Sequence, residues 1–156
     1  MIANARFGHV NVIARDWRRL ARFYEEVFGC VFVPPERDYS GALLEAATGL
    51  TAAALSGVHL RLPGCGENGP TLEIFTYAVG AEAPRPAPNR FGWGHIAFVV
   101  PDVAAARKEV LAAGGRTIGE VVTLETVTKA RVTWCYVTDP EENILELQSW
   151  AAPTTP

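Results

Sequence analysis

The chain has 156 residues, 49% of them apolar, and a formal charge of −3, which is the composition of a folded globular protein and excludes a disordered one. At this length it forms one compact unit or two small modules that share a core. Arg15, Arg18, Arg19 and Arg22 cluster, but Glu25 and Glu26 follow; the run reads as the solvated face of a helix, and no basic stripe for nucleic acid exists.

Phe7 to Ala14 reads as a strand, with Val10 and Val12 on one face and His9, Asn11 and Ile13 on the other. Asp16 is a helix N-cap, Trp17, Leu20, Ala21, Tyr24, Val27 and Phe28 follow at helical spacing, and Gly29 ends the helix. Val31 to Val33 is a short strand that Pro34 and Pro35 are expected to stop. Residues 36–56, punctuated by Gly41 and Gly49, read as a strand pair or a mobile loop. Val58 to Leu62 and Thr71 to Tyr77 are strands joined by an emphatic turn over Pro63–Pro70. Pro84, Pro86 and Pro88 mark an extended linker.

The programme then repeats. Gly94 to Val100 is a strand. Asp102 caps a helix with Val103, Ala106, Val110 and Ala113 as its apolar stripe, and Gly114-Gly115 closes it. Thr117 to Val122, Arg131 to Thr138 and Ile144 to Gln148 are strands, the last two joined by a turn over 139–143. The expected organisation is a first βαβββ module over 1–80, a linker over 81–91, a second βαβββ module over 92–150 and a frayed tail over 151–156.

The repeat is visible residue by residue. His9 and His95, Gly8 and Gly94, Asp16 and Asp102, and Gly29 and Gly115 are each 86 residues apart. Leu72-Glu73-Ile74 in the first half answers Leu145-Glu146-Leu147 in the second. A lone histidine on a strand is ordinarily a core or surface residue, and a lone glutamate between apolar residues ordinarily faces solvent. Two of each at repeated positions instead suggest one metal site assembled from two copies of a module, with His9, Glu73, His95 and Glu146 as ligands. If a pseudo-twofold axis relates the halves, the four side chains can meet on it. Two nitrogens and two oxygens suit Zn²⁺, Ni²⁺, Co²⁺, Mn²⁺ or Fe²⁺.

Asn11, Thr71 and Phe75 share faces with His9 and Glu73 and are pocket candidates. Trp134 and Tyr136 share one face of a strand and either pack the core or line a cavity. His59 has no counterpart by spacing and reads as a structural or pocket-lining residue. Gly8 and Gly94 could let the backbone come close to a ligand. Cys30, Cys65 and Cys135 form no Cys-x-x-Cys pair and suit a reducing cytoplasm, with buried or idle thiols. No signal pattern and no run of ~20 apolar residues is present, so a cytoplasmic protein without a membrane partner is expected.

Gly-His-Ile-Ala-Phe-Val-Val-Pro-Asp at 94–102, Asp-Pro-x-x-Asn-x-x-Glu-Leu at 139–147 and Phe-Tyr-x-x-Val-Phe-Gly at 23–29 resemble the vicinal oxygen chelate superfamily. That superfamily includes glyoxalase I, methylmalonyl-CoA epimerase, extradiol dioxygenases and the fosfomycin and bleomycin resistance proteins. The resemblance runs from residue 6 to about residue 150. It implies an α+β fold, with two tandem βαβββ modules forming a cupped, mostly antiparallel sheet around a metal, and a homodimer. It matches His9 to the first-strand ligand, Glu73 to the fourth-strand ligand, His95 to the fifth-strand ligand and Glu146 to the eighth-strand carboxylate. This ligand set is similar to that of bacterial glyoxalase I.

The implied function is a metal-dependent, glyoxalase-like lyase or isomerase that acts on a small oxygenated substrate through an enediolate. Glu146 or Glu73 would move the proton. One alternative is an extradiol-type dioxygenase using His9, His95 and Glu146 on Fe²⁺. The other is a non-catalytic, ligand-sequestering resistance protein.

The glutathione-dependent enzymes place an Arg where this chain has Ile13 and an Asn where it has Tyr77. The methylglyoxal–glutathione adduct is therefore expected to be a poor substrate, with about a 10–100-fold loss for the missing charge-assisted contact. Efficient turnover of that adduct in a lyase assay would show the inference to be wrong.

Overall fold

β1 (His9–Ile13) alternates as its sequence demands, with Val10 and Val12 partly covered and His9, Asn11 and Ile13 exposed. The structure is a computed structural model and describes residues 1–82 and 84–152. Asp16 caps α1 (Trp17–Phe28), its carboxylate accepting the N–H groups of Arg18 and Arg19 at 3.0 and 3.1 Å. Trp17, Leu20, Ala21, Phe23 and Tyr24 bury one face of this helix. Gly29 closes it at φ 68°, a left-handed position where a side chain is strained.

The next segment departs from the sequence reading. β2 runs over Val31–Ser40, so Pro34 and Pro35 do not stop the strand. β2 is the last strand of its sheet, and its register shifts between Val33 and Arg37. A bulge on an edge strand removes the need for the ladder donors that proline lacks. The difficult stretch that follows is neither a strand pair nor a loop alone. It contains a short helix, α2 (Ala42–Thr48), set between Gly41 and a left-handed Gly49. β3 (Ala54–Arg61) and β4 (Thr71–Tyr77) complete the first sheet, in the order β1-β4-β3-β2. β1 pairs with β4 in parallel and the other pairs are antiparallel. Leu20 and Tyr24 of α1 and Val58, Leu60, Leu72 and Ile74 of β3 and β4 are all fully buried and form the core of this half.

The second half builds the same sheet from different pieces. β5 (Ile96–Val99) leads to α3 (Val103–Ala112), whose N-cap Asp102 accepts the Ala105 N–H at 2.9 Å. The strand expected over Thr117–Val122 is instead two short ones, β6 (Arg116–Thr117) and β7 (Val122–Glu125). Both pair with β8 (Arg131–Thr138), β6 at one end and β7 at the other. Between them the N–H groups of Ile118 and Gly119 turn to the same Tyr136 carbonyl, which breaks the ladder. β9 (Ile144–Ala151) lies between β5 and β8, parallel to β5 and antiparallel to β8. The path β5-β9-β8-β6 thus repeats β1-β4-β3-β2, with one edge strand broken in two. Val103, Val110, Cys135, Val137, Leu145 and Leu147 form the core of this half.

Among the described residues there are nine strands and three helices in two mostly antiparallel sheets, neither closed into a barrel. The chain divides into two compact units, Met1–Glu82 and Ala83–Pro156. No described helix is long and apolar enough to cross a membrane. The expected linker has no regular secondary structure over 81–82 and 84–91, and Ala83 lies outside the described residues. Ala151 ends β9 instead of beginning the tail, and 153–156 lie outside the described residues. Arg85 and Arg116 both reach Glu142 Oε1, at 3.0 and 2.6 Å, beside a cavity of about 190 Å³ that no predicted site residue lines.

The repeated glycines do not do repeated work. A Cβ added at Gly115 would collide with the Thr138 carbonyl and the Val110 side chain, whereas Gly29 meets nothing and is required by its φ. Gly8 and Gly94 have open space around an added Cβ and no positive φ, so neither a neighbouring protein atom nor the backbone conformation requires glycine there. Gly115→Ala is expected to cost ~1–3 kcal/mol in urea denaturation, and Gly94→Ala less than ~0.5 kcal/mol. Equal costs would contradict this packing. Burial, with Glu25 adding, pushes the Cys30 thiol up to about 11. Burial also raises that of Cys135. Cys65 is exposed. Brief iodoacetamide treatment at neutral pH, read by mass spectrometry, should therefore label Cys65 and spare the other two thiols.

Candidate metal centre

β4 is an inner strand, so Glu73 has a neighbour on each side. The register sets Asn11 of β1 and His59 of β3 opposite it. All three side chains stand on the sheet face away from the α1-covered core, because alternate residues of β4, Leu72 and Ile74, turn into that core. Asn11 Nδ2 donates to Glu73 Oε2 at 2.8 Å, and His9 Nε2 lies 3.4 Å from the same oxygen. His59 Nε2 meets the other oxygen, Oε1, at 2.8 Å. The Glu73 side chain is only 13% exposed, so these partners replace most of its water.

His59 is itself held. Its Nδ1 lies 2.9 Å from Thr71 Oγ1, and its ring stands edge-on to Phe75 and His9, with centroids 6.3 and 5.5 Å away. Burial pulls the His59 pKa below its ordinary value; Glu73 opposes this, and Arg37 and His9 add to the lowering. A carboxylate only accepts, so Nε2 carries the proton towards Glu73. Nδ1 then accepts from the Thr71 hydroxyl, which fixes one tautomer of a neutral ring.

The second unit has a similar pair with different surroundings. His95 Nε2 lies 3.1 Å from Glu146 Oε2, and the Glu146 side chain is 17% exposed. The residues opposite Glu146 are Ala97 on β5 and Tyr136 on β8. Tyr136 stacks obliquely on His95 at 5.1 Å and edge-on to Trp134 at 5.0 Å. Burial raises the Tyr136 pKa and Glu146 adds to it, so the phenol stays protonated at neutral pH.

All nine residues singled out from the sequence fall into these two clusters. His9, Asn11, Thr71, Glu73 and Phe75 gather in the first, and His95, Trp134, Tyr136 and Glu146 in the second. His59, read from sequence as structural or pocket-lining, bonds Glu73 directly. Its counterpart is Tyr136, since each stands opposite the glutamate of its own half. Spacing concealed this equivalence because the β3–β4 turn is longer than the β8–β9 turn.

Two donors bound to one metal at ~2.0–2.2 Å, at angles between a right angle and the tetrahedral value, stand about 3.0–3.5 Å apart. The His9–Glu73 and His95–Glu146 separations, 3.4 and 3.1 Å, fit that spacing, as they also fit simple ion pairs. Among the described residues, no group of three or more His, Cys, Asp and Glu side chains is arranged to hold a metal ion. Each unit by itself holds one imidazole–carboxylate pair at this spacing.

The glyoxalase-like domain family model matches residues 9–147, a span that begins at His9 and includes Glu146. Among solved structures, the chain is similar to a glyoxalase family protein from Bacillus cereus, with a TM-score of 0.80 and 18% identity over 97% of this chain and 100% of that one. It is also similar to a glyoxylase/bleomycin resistance protein/dioxygenase domain from Frankia sp., with a TM-score of 0.60 and 17% identity over 96% of this chain and 100% of that one. A glyoxalase/bleomycin resistance protein/dioxygenase family enzyme from Burkholderia phytofirmans matches with a TM-score of 0.52 and 16% identity, over 93% of this chain and 98% of that one. At such identities these likenesses show the fold alone. No curated protein sequence matches the chain significantly. The family match over nearly the whole chain, together with the duplicated sheet, shows that the protein belongs to the glyoxalase-like domain family of the vicinal oxygen chelate superfamily.

Proposed function

We propose that the protein is a metal-dependent lyase or isomerase of glyoxalase type. Its substrate would be a small molecule with two adjacent oxygens, other than the glutathione adduct. The observation that carries this reading is the paired imidazole and carboxylate in each unit, at repeated positions and at the separation of two ligands. His9 and His95 would hold one divalent ion through Nε2, and Glu73 and Glu146 through a carboxylate oxygen, within a chain or across two copies in a homodimer. When bound, the ion supplies Lewis acidity to the two substrate oxygens and so acidifies the neighbouring C–H.

The two carboxylates differ in freedom. Glu73 is hydrogen-bonded on both oxygens, by Asn11 and His59. Among the described residues, Glu146 has His95 as its one hydrogen-bonding or ion-pair partner, and its cross-strand neighbours Ala97 and Tyr136 donate nothing to it. Glu146 is therefore the carboxylate that takes the proton from carbon and returns it, while Glu73 stays in place. Trp134 and Tyr136 would cover the substrate beside Glu146 and exclude water. The proposed setting is the cytoplasm.

Glu146→Gln keeps an oxygen donor and the side-chain volume while removing the basic oxygen. It is expected to slow solvent-deuterium exchange into the substrate C–H by ~10²–10⁴-fold. Glu73→Gln is expected to weaken metal binding more than exchange by the protein that remains loaded. Metal content by elemental analysis and exchange by NMR separate the two effects. Oxygen consumption with a catechol by the anaerobically iron-loaded protein would overturn the reading in favour of a dioxygenase.

A further inference from the structure

The two glutamates occupy the same place in two copies of one sheet, yet their neighbours differ in kind. Across β3–β4 the residue opposite the glutamate is a histidine, and across β8–β9 it is a tyrosine. Across β1–β4 it is an asparagine, and across β5–β9 an alanine. The first glutamate thus receives two N–H donors at 2.8 Å, one on each oxygen, and the second receives neither.

The His59 contact carries the most information. Asn11 shares its oxygen, Oε2, with His9, so that oxygen already faces the imidazole of the donor pair. His59 takes the opposite oxygen and is anchored from behind by Thr71. With Oε1 occupied and Oε2 turned to His9, the carboxylate cannot rotate about its last bond without breaking the His59 bond. Nor can it present both oxygens to one ion. A surface ion pair would need no such backing, because water would satisfy the second oxygen.

Resting on the metal-site reading above, we propose that His59, oriented by Thr71, is a positioning residue that pins Glu73 as a fixed, one-oxygen ligand. The tyrosine at the matching position of the second half leaves Glu146 unpinned. The half-sites differ at both cross-strand positions beside the glutamate, and the His59/Tyr136 position is the one that sets whether its second oxygen is held.

The test uses the full chain stripped of metal and titrated with Co²⁺ alone, read by visible absorption and by competition with a chelator. His59→Phe keeps a flat ring and removes the donor; His59→Gln restores an N–H donor. His59→Phe is expected to weaken Co²⁺ binding by ~10–100-fold, the usual effect of losing a hydrogen bond to a ligand. It should also change the intensity of the Co²⁺ bands as Glu73 binds differently, and His59→Gln should recover most of both. A Co²⁺ affinity and spectrum unchanged in His59→Phe would overturn the inference while leaving the metal site standing. A wild-type protein that binds no Co²⁺, Zn²⁺, Ni²⁺, Mn²⁺ or Fe²⁺ would overturn the metal reading itself. Crystal structures of the metal-free wild type and His59→Phe then decide the pinning: a Glu73 carboxylate turned away in the variant supports it, and one left in place overturns it. A variant whose thermal unfolding matches the wild type while Co²⁺ affinity falls separates positioning from folding.

Discussion

Glu73 sits on an inner strand with only 13% of its side chain exposed, and a carboxylate so placed must find donors or lose the sheet around it. Because β4 lies between β1 and β3, the donors have to come from those two strands at the rows facing Glu73. Asn11 and His59 occupy those rows, and His9 lies one alternate position back along β1. The hydrophobic face of the same strands fixes the register. Shifting β4 by one residue would bring Leu72 and Ile74 out of the core and turn Glu73 into it. The apolar packing under α1 therefore aims the polar cluster on the opposite face.

The second sheet obeys the same constraint with different content. Leu145 and Leu147 flank Glu146 as Leu72 and Ile74 flank Glu73, and both pairs are buried. What diverges is what the glutamates meet across the strands. Duplication preserved the alternation that buries the core and the histidine–glutamate pairing, while the neighbouring rows changed. Hydrophobic alternation tolerates such change because each polar row can vary without moving the apolar rows behind it.

The sequence exposed the elements with strong periodic or capping signals. β4 and β8 begin and end where their alternation does, and Asp16, Asp102 and Gly29 cap as their chemistry requires. The failures have specific causes. Pro34-Pro35 reads as a strand stop only if the strand has neighbours on both sides, and sheet order is invisible in a single sequence. α2 is short and closed by glycines at both ends, so its helical period covers barely two turns. The split between β6 and β7 depends on two N–H groups that share one carbonyl. At the site, the duplicated histidines and glutamates were legible because the repeat marked them. His59 was not, because turns of unequal length shift its distance from Glu73 relative to that of Tyr136 from Glu146. Counting inward from the two hairpin turns would have aligned them.

The edge strands carry a consequence of another kind. β2 interrupts its ladder with two prolines and a bulge, and β6 and β7 leave a gap beside β8. A foreign strand approaching either border would find missing donors or a broken row of partners, and could not extend the sheet in register. Each sheet therefore has a closed border and, at β1 and β5, an uninterrupted one. Strand addition at the closed borders is disfavoured by the irregular backbone, and on β2 the exposed charges of Glu36 and Asp38 act in the same direction.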